Sequence, residues 1–286
     1  MSDVSVRTRL TLMIGAQTDT GLKRAVNEDA FLAEFPVFVV ADGMGGHDAG
    51  DRAAAAVVDA FRPLVGHDAL TPEAVADAVG RAHAAVAAIS DGSPRGAGST
   101  LTGIVAVEQS GSSWWLVVNI GDSRVYRLLG NTLHQVTIDH SVAQELVDQG
   151  RLAREDMSSY RGRNVITRAV GDPHSAAEYW LLPIVTGERL LICSDGLSGE
   201  LPDEALRAGL ALGGGTPQTA HSLVTQAVER GGRDNITAIV VDVVDGGASP
   251  ESDAVTGGLS YTSAVATSAP PVEEDTVPSS RHRDRR

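Results

Sequence analysis

Acidic residues stand beside glycine or a tight-turn residue at the ends of apolar runs, at points spread over more than 200 residues of the chain. The signatures are Asn27-Glu28-Asp29, Ala41-Asp42-Gly43-Met44-Gly45-Gly46, Gly121-Asp122-Ser123, Ser194-Asp195-Gly196 and Arg233-Asp234-Asn235. A carboxylate at a strand end normally weakens an edge or faces water. Several of them, each next to a sharp turn of the chain, call for a fold that gathers strand ends around one cation. Hard divalent ions such as Mg²⁺ and Mn²⁺ take oxygen ligands of this kind.

The intervening runs show two periodicities. Residues 11–17, 30–34, 36–41, 101–108, 113–120, 123–129, 187–193 and 236–244 read as strands. Trp114-Trp115-Leu116-Val117-Val118 is apolar on both faces, so this strand is expected to be covered on both sides. Leu129-Gly130-Asn131-Thr132 supplies turn chemistry. After the second signature the spacing becomes helical. Ala54, Val57, Val58 and Phe61 form one apolar stripe, and Val75, Val79, Ala82 and Val86 form another. Thr71 and Pro72 mark the start of the second helix, with Thr71 as its cap. A third helix, over 217–230, carries Ala220, Leu223, Val224, Ala227 and Val228. Strands come in runs and helices in pairs, which favours a layered α+β fold over a doubly wound parallel sheet.

Charge and cysteine usage narrow the function. A formal net charge of −14 repels phosphate backbones, so nucleic acid is not an expected partner. The single cysteine, Cys193, excludes an internal disulfide and fits a reducing compartment. It lies in an apolar run and reads as a buried small hydrophobe. No run approaches the roughly 18 apolar residues that span a bilayer, and the N-terminal stretch lacks a signal-peptide apolar segment. A cytoplasmic monomer without membrane contact is expected. Patterning stops at Asp245, so residues 1–245 are expected to form the domain. The Ser-, Thr-, Pro- and Glu-rich segment 246–286 is expected to be a disordered tail.

Each acidic motif alone admits a plain reading. Val37 to His47 runs from a strand into a glycine-rich turn and then a helix, but a dinucleotide fingerprint would need its third glycine at Asp48. Asp42 would also repel a pyrophosphate, whereas a metal ion needs an acid there. Arg24 precedes Glu28 and Asp29, and its guanidinium can grip two phosphoryl oxygens or form an ordinary surface ion pair. Asp122 and Asp195 fit turns, and Asp234 fits the end of a helical segment. Asp139-His140-Ser141 fits a helix N-terminus capped by Asp139 or Ser141.

Taken in order, the motifs resemble the bacterial branch of the metal-dependent PP2C-type (PPM) protein phosphatases. The matching pieces are Arg24 with Asn27-Glu28-Asp29, Ala41 to His47, Gly98-Ser99-Thr100, Asn119 to Arg124, Asp139-His140-Ser141, Cys193 to Leu197, and Arg233 to Thr237, covering about residues 8–244. The resemblance implies a central β-sandwich of two antiparallel sheets flanked by helices on both outer faces. It implies two Mn²⁺ or Mg²⁺ ions, with a third, weaker site. Asp42 would bridge the pair, the Gly43 carbonyl would bind the second ion, and Asp195 and Asp234 would complete the first. Glu28 and Asp29 would hold waters of the ions, and Asp122 with Asp195 would serve the third site. Arg24 would bind the substrate phosphate.

The implied activity is hydrolysis of phosphoserine and phosphothreonine in proteins, by a water shared between two ions and without a phosphoenzyme. Phosphorylated proteins are the implied substrates, with a cognate bacterial Ser/Thr kinase as a partner in signalling. An inactive, phosphatase-like binding module and a phosphatase of small phosphomonoesters are the alternatives. Eukaryotic relatives carry a histidine where this chain has Met44, so no side chain here is assigned as proton donor to the leaving group; His47 and His140 remain unassigned. The region 150–164 corresponds to a flap beside the site. Its Arg151, Arg154, Arg161 and Arg163 either receive an acidic phosphopeptide or belong to a solvated loop.

Overall fold

The computed structural model describes residues 10–45, 49–93, 96–109 and 111–250. Successive side chains of a strand point to opposite faces, and here both faces are apolar. In β3 (Val37–Gly45), Val37, Val39 and Ala41 face one way while Phe38 and Val40 face the other. In β6 (Ser112–Ile120), Leu116, Val118 and Ile120 join the first set and Trp115 and Val117 the second. A strand buried on both sides must sit between two layers, which confirms the reading of the Trp114–Val118 run.

Two antiparallel sheets supply the middle layers. The first has five strands in the order β1 (Thr11–Asp19), β11 (Ile236–Asp245), β10 (Arg189–Cys193), β7 (Arg124–Leu129) and β8 (Thr132–Gln135). The second runs β2 (Asp29–Glu34), β3, β5 (Leu101–Gln109), β6 and β9 (Glu178–Pro183), and the short β4 (Ala97–Ser99) pairs with the end of β3. Phe38, Ile104, Trp115, Ile192, Ile239 and Val241 fill the space between the sheets. The helices α1 (Ala49–Phe61) and α2 (Pro72–Asp91) cover the outer face of the second sheet through Val57, Phe61, Val79 and Val86. The helices α5 (Asp203–Leu212) and α6 (Thr216–Arg230) cover the first through Leu206, Leu210, Leu223 and Val224. The result is the expected α-β-β-α sandwich. Two short helices, α3 (Val142–Asp148) and α4 (Asp195–Ser198), lie in the connections.

Local rules set the ends as anticipated at two places. The Thr71 hydroxyl accepts from the Ala74 amide at the start of α2, and the Ser141 hydroxyl accepts from the Gln144 amide at the start of α3. Ser141, rather than Asp139, is therefore the cap.

The structure departs from the sequence reading at several others. Asp42-Gly43-Met44-Gly45 is not a turn but the continuation of β3, paired with β4. Its glycine serves close approach: a Cβ on Gly43 would lie 2.0 Å from the Gly50 carbonyl oxygen. The strands β4, β8 and β9 carry little strand signal of their own, because the first is three residues of Ala-Gly-Ser, the second lacks an apolar run, and the third ends in proline. Helix α5 hides its periodicity behind Gly209, which is small because a Cβ there would meet Leu223 Cδ2 at 2.6 Å. The chain also stays bonded beyond Asp245. Ala248 exchanges backbone hydrogen bonds with Ile184 and Thr186, so the first residues of the supposed tail belong to the domain. Residues 251–286, the rest of that segment, lie outside the described residues, as do Gly46, His47 and Asp48.

One charged pair lies in the sandwich interior, between neighbouring strands of the first sheet. Arg127 Nε donates to Glu188 Oε2 at 2.5 Å, and Glu188 Oε1 accepts from Trp115 Nε1 at 2.8 Å and the Val185 amide at 2.9 Å. Both charges are buried, and burial raises the Glu188 carboxyl above its usual range.

Candidate functional site

The acidic strand ends meet at one end of the sandwich. Asp29, at the start of β2, is the cross-strand partner of Asp42 in β3. Asp195 opens α4 one residue after β10, with its carboxyl near enough to that of Asp42 for the two charges to act on each other. Asp234 sits just before β11, and Asp122 lies in the tight link between β6 and β7. The second sheet thus supplies Asp29, Asp42 and the approach to Asp122, while the first supplies Asp195 and Asp234. Glycines permit the convergence. A Cβ on Gly196 would lie 2.0 Å from the Asn235 carbonyl oxygen, so only glycine lets the Asp195 turn close against the Asp234 segment. Gly121 adopts φ +105°, a left-handed conformation that aims the chain at Asp122.

Glu28 and Arg24 reach the same place by a loop that Asn235 clamps. Asn235 Nδ2 donates to the carbonyls of Thr20 and Val26, and its Oδ1 accepts from the Glu28 amide at 2.8 Å. The Glu28 carbonyl in turn accepts from the Gly43 amide at 3.1 Å. The Glu28 carboxyl packs on Gly50 in the first turn of α1. Arg24 Nη2 donates to Asp234 Oδ2 at 2.7 Å, and its side chain is 49% exposed. Every residue singled out in the sequence (Arg24, Glu28, Asp29, Asp42, Gly43, Asp122, Asp195 and Asp234) therefore comes to this one region.

Crowding like charges in a partly dry site has a measurable consequence. Burial, followed by the charges of Asp29 and Asp195, pushes Asp42 well above the usual carboxylate range. Burial, then Asp195 and Asp139, does the same to Asp122. Asp29 rises to about 7, through burial first, and despite hydrogen bonds from Thr237 and Ser194. Asp195 rises through burial and the charge of Asp234. Asp29 Oδ1 and Asp195 Oδ1 are buried and have no hydrogen-bond partner. A protein interior does not keep several carboxylates together, with orphaned oxygens, unless a positive ligand balances them.

Uncharged residues that carried no assigned role hold the acids in place. The Thr100 hydroxyl accepts from the Asp42 amide, the Asp42 carbonyl accepts from the Thr100 amide, and Thr100 also hydrogen-bonds Ser123. Asp29 Oδ2 accepts from Ser194 Oγ at 2.8 Å and Thr237 Oγ1 at 2.7 Å. The signal available for these residues was a hydroxyl or amide inside an otherwise apolar strand end, as in Ile236-Thr237-Ala238.

Neither His140 nor Asp139 adds to the acid set. Asp139 is taken up by a bidentate Arg124, at 2.6 and 2.9 Å, and by Gln135. His140 is buried: its Nδ1 accepts from the Gly121 amide and its Nε2 lies 3.2 Å from Arg168 Nη1. Its role is structural. Beside the acids runs a cleft of about 550 Å³ whose lining includes Asp122, Asp195 and Asp234 together with Arg154, Arg163 and Arg233. Two of the four flap arginines thus face the cleft, while Arg151 is bonded to Gln149.

An antiparallel double sandwich with a carboxylate-lined cleft at one end, and an arginine on its rim, defines a class of site suited to hard cations and phosphoryl groups. Comparison with known proteins agrees. The family Protein phosphatase 2C matches residues 22–212. Serine/threonine protein phosphatase PstP of Mycobacterium tuberculosis is 39% identical over 246 residues, which is 84% of this chain and 46% of PstP. The chain thus matches about half the length of that relative. Serine/threonine phosphatase stp of Listeria welshimeri is 32% identical over 242 residues, 79% of this chain and 94% of stp. Among solved structures, the catalytic domain of PstP in complex with two manganese ions superposes with a TM-score of 0.75 at 35% identity, covering 83% of this chain and all of that one. The chain belongs to the protein phosphatase 2C family.

Proposed function

We propose that this chain is a protein-serine/threonine phosphatase dependent on Mn²⁺ or Mg²⁺. The convergence of Glu28, Asp29, Asp42, Asp122, Asp195 and Asp234 carries the reading, in a chain whose relatives bear that activity in their names. The donor set fits a divalent pair: it is all oxygen and mostly carboxylate, and the Oδ1 atoms of Asp29 and Asp195 are buried without a partner. Among the described residues no three Asp, Glu, His or Cys side chains already stand in closed ligand geometry, so the fit rests on donor chemistry and charge. The manganese pair of the PstP catalytic domain supports it further.

In this reading Asp42, the Gly43 carbonyl, Asp195 and Asp234 hold the ions. Glu28 and Asp29 order the surrounding waters, and Asp122 with Asp195 serves a third, weaker position. When bound, the ions supply an acidified water and neutralise phosphoryl charge. Arg24 then turns its exposed guanidinium to the phosphate, two N–H groups to two oxygens. Water oxygen bonds to phosphorus, the bond to the seryl or threonyl oxygen breaks, and solvent returns the proton, since Met44 can donate none. The residues contribute position and fixed charge rather than covalent chemistry. The cleft arginines Arg154, Arg163 and Arg233 favour phosphorylated protein segments, such as those made by a Ser/Thr kinase, over small esters. The single, buried Cys193, its thiol pushed up to about 12 by burial, supports a cytoplasmic setting. Among the described residues no helix is long and apolar enough to cross a membrane.

The test compares p-nitrophenyl phosphate with a phosphothreonine peptide under Mn²⁺ titration, with reversal by EDTA. The expected result is metal-dependent release of phosphate from both, with higher kcat/KM for the peptide. Turnover of neither would make the chain a binding module. Turnover of the small ester alone would make it a phosphomonoesterase of another class.

A further inference from the structure

The Asp29 carboxylate is the end of a closed hydrogen-bond circuit that ties the two sheets together at the site. The Asp29 amide donates to Asn27 Oδ1 at 3.1 Å, which fixes the orientation of the Asn27 side-chain amide. Its other end, Nδ2, must therefore donate, and it does so to Thr18 Oγ1 at 2.9 Å. Thr18 Oγ1 stands 2.8 Å from Thr237 Oγ1, its cross-strand neighbour between β1 and β11. Thr237 Oγ1 is 2.7 Å from Asp29 Oδ2. With cations bound the Asp29 carboxylate would be ionised and would only accept, which commits the Thr237 proton to Asp29 and the Thr18 proton to Thr237. Ser194 Oγ supplies a second donor to the same Oδ2 and itself accepts from the Thr237 amide. Both hydroxyl donors land on one oxygen, and Oδ1 is left buried and unpartnered.

We propose that Asn27, Thr18 and Thr237 form a directional relay of positioning residues, which locks the Asp29 carboxylate so that Oδ1 faces the cation pair. The proposal rests on the metal-dependent reading of the site. It assigns a function to three uncharged residues, two of them on the opposite sheet from Asp29. Partners of this outer kind orient a ligand and raise its basicity, and their loss typically costs about 10- to 100-fold in metal affinity. Thr18 and Thr237 are strand residues, and valine matches threonine in shape and strand preference, so the substitution removes the hydroxyl while keeping the packing.

The experiment is calorimetric titration of Mn²⁺ into the full chain, alongside kcat and KM for the phosphothreonine peptide. Thr237→Val and Thr18→Val are expected to weaken Mn²⁺ binding about 10-fold or more, with the peptide KM at saturating Mn²⁺ little changed. Thr237→Ser, which keeps the hydroxyl, is expected to restore affinity. Asn27→Asp is the sharpest variant. It keeps an acceptor for the Asp29 amide, removes the donor to Thr18, and adds negative charge near the cations. Simple charge attraction would tighten Mn²⁺ binding, whereas the relay demands that binding weaken. Unchanged affinity in Thr237→Val, or tighter binding in Asn27→Asp, would overturn the relay. Circular dichroism of each variant separates loss of fold, and a Thr237→Val that does not fold leaves Asn27→Asp and Thr18→Val to decide. If the parent chain itself binds no Mn²⁺, the metal-dependent reading fails instead.

Discussion

Asp29→Asn should stabilise the metal-free protein, and the gain should grow with pH. In the fold the Asp29 proton is held up to about 7, against an ordinary 3.8, chiefly because of burial and then the charges of Asp195 and Asp234. Below 3.8 both the folded and unfolded chains are protonated, and the group contributes nothing. Between those values the unfolded chain releases the proton first, so stability falls as pH rises. Above 7 the full penalty stands. The difference of about 3 pH units, at 1.36 kcal/mol each, amounts to roughly 4 kcal/mol at pH 8 and roughly 2 kcal/mol at pH 5. Asparagine removes the ionisation but keeps an oxygen to accept from Ser194 and Thr237, whose bonds to Asp29 Oδ2 are 2.8 and 2.7 Å. Urea denaturation in EDTA at pH 5, 6.5 and 8 reads the effect. The variant should exceed the parent at every pH, with the gap widening by about 2 kcal/mol across the series. Saturating Mn²⁺ should reverse the order, because binding to the folded parent adds stability that the variant largely lacks. Parallel pH profiles of the two proteins in EDTA, or a variant less stable than the parent at pH 8, would refute the account of a strained like-charge cluster.

Asp42→Asn should abolish turnover while leaving the circular dichroism spectrum intact; retention of most activity would remove the bridging role from Asp42. Arg127→Met strands the Glu188 carboxylate inside the sandwich, and breaking a buried pair in this way costs about 3–5 kcal/mol, a fall of roughly 10 °C in Tm by calorimetry. Truncation after Pro250 should leave p-nitrophenyl phosphate turnover and Tm unchanged. Truncation after Asp245 should lower Tm, because it removes the Ala248 hydrogen bonds to Ile184 and Thr186; equal Tm values for the two truncations would show those bonds to be incidental.

Local order was legible wherever a residue's role depends on its near neighbours. The unbroken apolar run Trp114–Val118 announced a strand covered on both sides. The stripe from Ala54 to Phe61 announced a helix with one buried face, and Thr71 announced the cap of the helix that follows. The order of the acidic motifs announced the family, and all the acids proposed as ligands do converge. Less visible was what depends on partners far along the chain. Asp42 to Gly45 resembles a turn until β4, more than fifty residues later, pairs with it. The strand character of Thr132–Gln135 likewise comes from pairing with β7 rather than from an apolar run of its own.

The same division runs through the site. Residue type alone decided that Asp29, Asp42, Asp122, Asp195 and Asp234 could serve a hard cation, because carboxylate chemistry belongs to the side chain. Packing decided how each is aimed. Arg24 meets Asp234 across 210 residues, and Asp29 takes its two hydroxyl donors from 165 and 208 residues away. Such contacts follow from how two sheets stack and twist together, and no window of neighbouring residues carries that information. Burial, which raises Asp29, Asp42, Asp122 and Asp195 above their ordinary range, is likewise a property of everything packed around a group.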